Sequence, residues 1–313
     1  MSGVNIVLQV IIPVKNRPEI VDCVRSLLVI GYPVTKIIIC DGGTTEPKCL
    51  MALQDLAKLS QQVEWFKYTQ SDFNKSQLIN QGILQASSEY LLISDADIIW
   101  NRQGILQLLF SILEPIALES FSLKTRIEIV KCLPETSSLS AVNNSKKEII
   151  CYVKTVAESC LQTTALKRER YTYNIQKGEQ IATINIALAK SGNRDRPGCG
   201  LLCTRKQTLL SLGGYKESFT GWGWEDQDLL IRATLFGIKI CATGNVIHLS
   251  HSDAARNQHH QQLPPTQTRD CNIISCLQSL QKGDIFGDLR QPAMLPHPLL
   301  EITTNFTPNS SCE

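Results

Sequence analysis

Several features that would place a protein in a special class are missing from this sequence. No C-x-x-C pair occurs among its twelve cysteines, which are scattered along the chain, so neither a disulfide framework nor a regular zinc site is indicated. No run approaches the ~20 apolar residues of a membrane-spanning helix. The first residues, M-S-G-V-N, contain no basic stretch ahead of the apolar run that follows, which argues against a signal peptide. We therefore expect a protein of the reducing cytoplasm.

Charge of one sign is not in excess either. The 313 residues include 31 Lys and Arg against 29 Asp and Glu, a formal net charge of +2. This balance gives no electrostatic reason to expect a nucleic-acid partner. Hydrophobic residues make up 43% of the chain, enough for the core of one large α/β domain. Cys40 and Cys241 lie in apolar runs, where a free thiol behaves as a small hydrophobic side chain.

The N-terminal third alternates between apolar runs and helical patterns. The predicted strands and helices, in chain order, are 7–14, 19–29, 36–40, 47–59, 63–68, 75–86 and 90–94. This rhythm is typical of βαβ units and predicts an α/β fold, with a mostly parallel Rossmann-like sheet and helices on both faces. Ligands of such sheets bind beyond the carboxyl ends of the strands, where the sequence has Asp41 and Asp95.

The pattern weakens after residue 112 and returns near residue 197. We interpret 113–196 as an insertion or a smaller subdomain, with strands expected at 123–132 and 149–156. Residues 257–313 are rich in Gln, Pro and Asn, which predicts a flexible tail with one short helix near 273–280. The main domain is therefore expected to span 1–256.

Asp95 and Asp97 lie on either side of Ala96, directly after an apolar strand. Two carboxylates so close together are costly to hold there unless a cation neutralises them. Mg²⁺ and Mn²⁺ favour oxygen ligands and bridge readily to phosphates. Such a triplet also occurs by chance as a solvated turn, but its place at a strand end favours a metal site. In sites of this type the second carboxylate usually contacts the ion, while the first contacts a ribose or a metal-bound water.

Several segments together resemble known glycosyltransferases. The runs F-N-K-S-Q-L-I-N-Q-G at 73–82, D-A-D at 95–97 and G-W-G-W-E-D-Q-D at 221–228 are similar to motifs of β-1,4-galactosyltransferases and chondroitin-type polymerases. His251 and the serine after it resemble the H-S pair that supplies a metal ligand in that family. The run I-I-P-V-K-N-R-P at 11–18 and Asp41 are similar to family-2 glycosyltransferases. Apart from 113–196, the matches span 7–256 in the family's order.

The resemblance implies a GT-A fold that binds a UDP-sugar through Mn²⁺ or Mg²⁺. The ion would be held by Asp97 and His251, with Asp95 beside it. His248 also aligns with a metal-contacting position, although residues three apart in an extended segment face opposite sides. The residues implied beside the nucleotide are Pro13, Val14, Asn16, Arg17, Asp41, Phe73, Asn74, Lys75, Asp95 and Ala96.

Two positions depart from the family pattern. Lys75 stands where the family has Arg, which keeps the charge but loses the bidentate fork. Trp224 stands where the family usually has Gly. Trp222 and Trp224 offer flat faces on which sugar rings can stack, and ordinary core packing explains them equally well.

The acids at 225–228 open a predicted helix, where the helix dipole accounts for some of them. An inverting transfer also needs a carboxylate that removes the proton of the attacking hydroxyl. By position Asp226 matches the family's base, and Glu225 would hold the acceptor, a glycan or another molecule with a hydroxyl. A lipid acceptor would be reached peripherally at the membrane. Gly198-Cys199-Gly200 either approaches the donor sugar or forms a plain turn.

Two alternatives stay open. A retaining reaction is possible, because polypeptide N-acetylgalactosaminyltransferases have a similar W-G-G-E motif. A subunit that binds a nucleotide sugar without catalysis is the other, and the altered Lys75 and Trp224 are in its favour. The intact acid cluster counts against it.

Overall fold

The computed structural model describes residues 6–69, 72–113, 148–160, 170–177, 180–187, 195–251, 263–289 and 302–305. The strands within these ranges are β1 (Leu8–Val14), β2 (Val34–Asp41), β3 (Val63–Lys67), β4 (Tyr90–Ile93), β5 (Ile98–Ile99), β6 (Ile149–Glu158), β7 (Arg170–Lys177), β8 (Gln180–Ala187), β9 (Asp195–Arg205), β10 (Lys239–His248) and β11 (Ile302–Asn305). The helices are α1 (Ile20–Ile30), α2 (Pro47–Leu59), α3 (Lys75–Gln85), α4 (Arg102–Ile112), α5 (Lys206–Ser211), α6 (Glu225–Leu235) and α7 (Pro265–Gln281).

The main sheet has the strand order β3-β2-β1-β4-β9-β6-β10-β5. Strands β3, β2, β1 and β4 are parallel neighbours, as the βαβ rhythm predicts. Strand β9 runs antiparallel to both β4 and β6, and β5 runs antiparallel to β10. Strand β10 is parallel to β6, so four of the seven pairings in this sheet are parallel and three are antiparallel. The α/β class and the mostly parallel sheet are therefore confirmed, and the sheet is mixed rather than purely parallel.

Alternate residues of β1 enter two different hydrophobic clusters, which accounts for helices on both faces of the sheet. Val10 and Ile12 pack on the face covered by α1, α2 and α4. Ile11 packs on the opposite face with side chains of α3 and α6. Gly82 lets α3 lie directly against the sheet, because a Cβ there would collide with Cγ2 of Ile11.

Part of the segment interpreted as an insertion belongs to the main sheet. The strand expected at 149–156 is confirmed as β6, which lies between β9 and β10. Strands β7 and β8 form a separate antiparallel sheet with β11. The strand expected at 123–132 lies outside the described residues.

A helix of 17 residues, α7, lies in the segment where a flexible tail with one short helix was expected. Its buried side chains form a third hydrophobic cluster with the loop before α6 and with α6 itself. The cluster contains Phe219, Trp224, Ile231, Leu235, Ile273, Cys276, Leu277, Leu280 and Ile285. Residues 263–289 are thus packed against the main domain, because apolar residues at helical spacing are hidden within a polar composition. No helix among the described residues is both long and apolar enough to cross a membrane.

Candidate active site

Strand pairing brings together three side chains that are distant in sequence. Strand β5 begins directly after Asp97 and pairs with β10, so that His248 lies opposite Ile98. Strand β10 is also parallel to β6, in a register that places His248 beside Glu158. Asp97, His248 and Glu158 therefore meet at the same edge of the sheet.

Asp97, His248 and His251 form a group that could hold a metal ion. Each offers one ligand atom, and the three atoms lie within 4.8 Å of one another. The Oδ2 atom of Asp97 is 3.2 Å from Nε2 of His251 and 3.6 Å from Nε2 of His248. The predicted pair Asp97 and His251 is thus brought together. One carboxylate oxygen with two imidazole nitrogens suits a divalent ion such as Mn²⁺.

Both histidines lie on the same side of the chain, so the expectation that they face opposite sides is wrong. The reason is that β10 ends at His248. The N–H of Leu249 then donates to the carbonyl of Asp97 at 2.8 Å, which turns the chain so that His251 returns to the carboxylate. Burial would raise the pKa of Asp97, but hydrogen bonds from His248 and His251 outweigh it and hold that pKa well below its usual range.

Glu158 supports this group from behind. Its Oε2 atom lies 2.6 Å from Nδ1 of His248 and accepts a 2.8 Å hydrogen bond from Ser250 Oγ. Its Oε1 atom is 3.1 Å from Nε of Arg196. The Glu158 carboxylate accepts the Nδ1 proton of His248, so it is through Nε2, which faces Asp97, that His248 would bind an ion. Sequence reasoning missed Glu158, whose only signal is its place at the end of a predicted strand.

Lys75 connects three motifs that are far apart along the chain. Its Nζ atom lies 2.7 Å from Oδ1 of Asp95 and 3.1 Å from Oε1 of Glu225. Burial would lower the pKa of Lys75, but the charges of Asp95 and Glu225 outweigh it and raise that pKa well above its usual value. Lys75 is therefore charged. Asp95 faces this cation, whereas Asp97 faces the histidines.

Asp226 lies beside the same acids, with one oxygen held and the other facing a glycine. Oδ1 accepts a 2.7 Å hydrogen bond from the N–H of Gln227. A Cβ placed on Gly200 would be 3.4 Å from Oδ2 of Asp226 and 3.5 Å from Nζ of Lys75. Gly198, Cys199 and Gly200 lie within β9 rather than in a plain turn. Burial, and then the charge of Glu225, raise the pKa of Asp226 to about 7, although Lys75 opposes the shift.

The residues predicted beside the nucleotide at the end of β1 and β2 mostly form internal contacts. Pro13 and Val14 are buried in β1, and Val14 belongs to the hydrophobic core. Asp41 is completely buried and accepts hydrogen bonds from the N–H of Thr44 at 2.7 Å and from Nε1 of Trp65 at 3.3 Å.

Asn16, Arg17 and Ala96 lie near the same ends of the strands. Asn16 has a left-handed φ of 50°, and its Oδ1 accepts the N–H groups of Thr45 and Glu46 at 2.8 and 3.0 Å. Arg17 is half-buried just after β1, and Ala96 is buried. Direct contacts between these residues and a nucleotide stay a prediction.

Asn74 and Asn80 hold α3 against the segment that precedes residues 220–224, which we call the Trp-rich loop. Asn74 caps α3 by accepting the N–H of Gln77 at 3.0 Å, and it donates to the carbonyl of Glu217 at 2.7 Å. Asn80 is completely buried and exchanges two 2.9 Å hydrogen bonds with the backbone of Tyr215. Phe73 is half-buried against the cluster that contains α3. These asparagines of the F-N-K motif thus have a structural use that the sequence did not reveal.

The two tryptophans differ. Trp222 is half-buried, and its backbone N–H donates to Oγ1 of Thr268 at 3.3 Å. Trp224 is 8% exposed and packs against α7, so core packing describes its ring better than sugar stacking does. Its φ of 84° is left-handed, which explains why a glycine would suit this position.

Asn272 and Thr268 of α7 hold the loop that carries these tryptophans. The Nδ2 atom of Asn272 donates to the carbonyls of Thr220 at 3.0 Å and Gly223 at 2.8 Å. Both of these side chains are buried. They were missed because their segment was expected to be a tail.

Two protein-family models match consecutive parts of the chain. The model described as glycosyl transferase family 2 matches residues 9–119. The model described as the N-terminal domain of galactosyltransferase matches residues 188–252. No curated protein sequence matches the chain.

Solved structures with a similar fold are distant in sequence. GalNAc-T7, solved with UDP, GalNAc and Mn²⁺, is 14% identical with a TM-score of 0.50, and the match covers 87% of this chain and 48% of that one. The catalytic domain of Drosophila β1,4-galactosyltransferase 7, solved with xylobiose, is 13% identical with a TM-score of 0.42, over 82% of this chain and 76% of that one. TarS of S. aureus is 11% identical with a TM-score of 0.46, and the match covers 88% of this chain and 44% of that one.

The chain thus spans about half of the length of GalNAc-T7, and at this identity the likeness concerns the fold. The family models match the two regions that hold the D-x-D triplet and the acid cluster, as the motifs predict. The chain is a glycosyltransferase with a GT-A fold, in which residues 9–119 match the family 2 model and residues 188–252 match the galactosyltransferase model.

Proposed function

We propose that this glycosyltransferase transfers the sugar of a UDP-sugar to an acceptor hydroxyl with inversion at the anomeric carbon. The observation that carries the proposal is the group of Asp97, His248 and His251, whose ligand atoms lie within 4.8 Å of one another. The D-x-D triplet links it to the acid cluster, because Asp95 contacts Lys75, which contacts Glu225.

The residues present fit a divalent cation, and we propose Mn²⁺. The chemistry of the donor set supports this choice, since Mn²⁺ accepts both carboxylate oxygen and imidazole nitrogen. GalNAc-T7 has the same fold and was solved with UDP, GalNAc and Mn²⁺. Bound at this group, the ion would neutralise charge on the departing diphosphate. Glu158 would keep His248 in the tautomer that leaves Nε2 available.

Asp226 is the proposed base. A base works best when its pKa is near the working pH, and burial with the Glu225 charge raises the pKa of Asp226 to about 7. Its Oδ2 atom lies beside Gly200, and a glycine has no side chain that could cover this oxygen. Glu225 is already engaged by Lys75, which suits it to orienting the acceptor rather than to accepting its proton.

The first experiment measures sugar transfer from a panel of UDP-sugars by the full chain. Activity is expected to disappear with EDTA and to return with Mn²⁺. Product analysis by NMR is expected to give the anomer opposite to that of the donor, and retained configuration would overturn the inverting mechanism.

Two variants separate the metal group from the base. Asp97→Asn is expected to lose Mn²⁺ binding measured by electron paramagnetic resonance. Asp226→Asn is expected to keep Mn²⁺ and UDP binding but to lose transfer by about 10²-fold or more. Asp55→Asn, on the exposed side of α2, is the matched control and should behave as the wild type. Full transfer by Asp226→Asn would remove this residue as the base.

A further inference from the structure

Three cysteines lie side by side across neighbouring strands of the main sheet. Cys151 of β6 pairs with Cys203 of β9 on one side and with Cys241 of β10 on the other. All three pack on the same face of the sheet. Cys151 and Cys203 are completely buried, whereas Cys241 is partly exposed.

A sulfur contact joins Cys151 to Cys241. The Sγ atoms of Cys151 and Cys241 lie 2.9 Å apart. A disulfide has an S–S distance of ~2.05 Å, so the sulfurs need to approach by only about 0.9 Å more. Directly paired residues of adjacent strands are ~4.8 Å apart, which lies in the range of Cα separations that a disulfide spans.

The environment makes Cys241 the more reactive thiol of the pair. The hydrogen bond with Cys151 lowers the pKa of Cys241 to about 7 against the opposing effect of burial, and Ser111 and Lys239 contribute in the same direction. The same hydrogen bond, with burial, raises the pKa of Cys151. Burial alone raises the pKa of Cys203. Thiolate character and exposure thus coincide at Cys241, as attack on an external disulfide requires.

We propose that Cys151 and Cys241 form a dithiol site, which a low-molecular-weight disulfide such as oxidised glutathione converts into an intramolecular disulfide. The Cys241 thiolate attacks one sulfur of the oxidant, forms a mixed disulfide and releases one glutathione thiolate. The Cys151 thiol then gives its proton, through solvent, to a released glutathione thiolate and attacks Sγ of Cys241, which breaks the mixed disulfide and releases the second glutathione. The two cysteines are oxidised, and one oxidised glutathione becomes two reduced molecules.

The new bond would join the two strands that carry the support of the metal group. Cys151 precedes Glu158 by seven residues in β6, and Cys241 precedes His248 by seven in β10. At ~3.3 Å per residue this separation is about 23 Å. The crosslink therefore leaves the metal group in place and acts on stability, because it restrains the unfolded chain between the two strands.

The test treats the full chain with oxidised glutathione, blocks the remaining thiols with iodoacetamide and maps disulfides by mass spectrometry of the non-reduced digest. The expected result is a peptide pair that links Cys151 to Cys241, and a Tm that falls when dithiothreitol is added. Cys203→Ser removes the other neighbour of Cys151 and is the matched control, which should still form the link. Cys241→Ser should prevent it and leave Cys151 open to alkylation after unfolding.

Three results would overturn the proposal. One is the absence of a Cys151–Cys241 peptide in the treated wild type. Another is a link between Cys151 and Cys203. The third is glutathione that stays attached to Cys241. None of these results bears on sugar transfer, so this proposal and the proposed function fail independently.

Discussion

Nδ1 of His248 lies 2.6 Å from Oε2 of Glu158, while Nε2 of the same ring faces Asp97. The register of β6 against β10 produces this arrangement, because His248 and Glu158 are paired residues at the ends of the two strands. A carboxylate behind a ligand histidine sets both the tautomer and the orientation of the ring.

Replacing Glu158 by Ala is expected to weaken Mn²⁺ binding by about 10–100-fold, since His248 would lose the partner of its Nδ1 proton. Titration of Mn²⁺ followed by electron paramagnetic resonance measures the effect. Glu158→Gln should recover part of the affinity, because an amide oxygen still accepts that proton. Glu64→Ala, on β3, is the control and should bind as the wild type. Equal affinity in Glu158→Ala and the wild type would contradict a supporting role.

The pH dependence of transfer is expected to follow Asp226. The pKa of its carboxyl is raised to about 7, so the group is protonated below that pH and cannot accept the proton of the acceptor. We expect kcat/KM to fall about tenfold per pH unit below this pKa and to level off above it.

The Glu225→Gln variant tests whether Asp226 causes this fall of kcat/KM at low pH, the acid limb of the pH profile. Removing the negative charge of Glu225 takes away a cause of the raised pKa of Asp226. The acid limb should therefore move to lower pH, whatever the variant does to the maximal rate. A limb that stays in place, or moves to higher pH, would show that another group controls it.

Asn272→Ala is expected to loosen the loop before α6. The variant leaves the carbonyls of Thr220 and Gly223 without their donor. Thr220 is exposed and Gly223 is half-buried, so we expect the lost hydrogen bonds to lower the free energy of unfolding by about 1 kcal/mol, which urea unfolding measures. Transfer should also decline, because the loop leads into Glu225 and Asp226. Ser275→Ala changes an exposed residue of the same helix and should alter the free energy of unfolding by less than about 0.5 kcal/mol.

At position 224 we expect glycine to give a more stable protein than alanine, which is the reverse of the usual order. Both variants lose the buried indole ring of Trp224, so both are less stable than the wild type. The φ of 84° is strained for alanine but not for glycine. We therefore expect Trp224→Gly to exceed Trp224→Ala in unfolding free energy by about 1 kcal/mol. Alanine as the more stable variant would mean that the loop relaxes out of this conformation.

Local patterns in the sequence were enough to predict the parallel half of the fold and part of the site. Apolar β-branched runs and helical spacing are properties of neighbouring residues, so the strands and helices from residue 8 to residue 93 agree with their prediction. The acids of the D-x-D triplet and His251 were found because their types, and their similarity to known motifs, are visible in one dimension.

The partners of those residues depended on which strands pair and in which register. His248 and Glu158 are 90 residues apart, and no local pattern states that β6 lies beside β10. The clamp of α7 on the Trp-rich loop is equally non-local, since its residues lie in a polar stretch that resembles a tail. Side chains distant along the chain meet only when the strands that carry them pair. Which strands pair depends on interactions across the whole sheet and not on neighbouring residues. The sequence therefore specified the chemical groups of the site, and the folded sheet specified which of them come into contact.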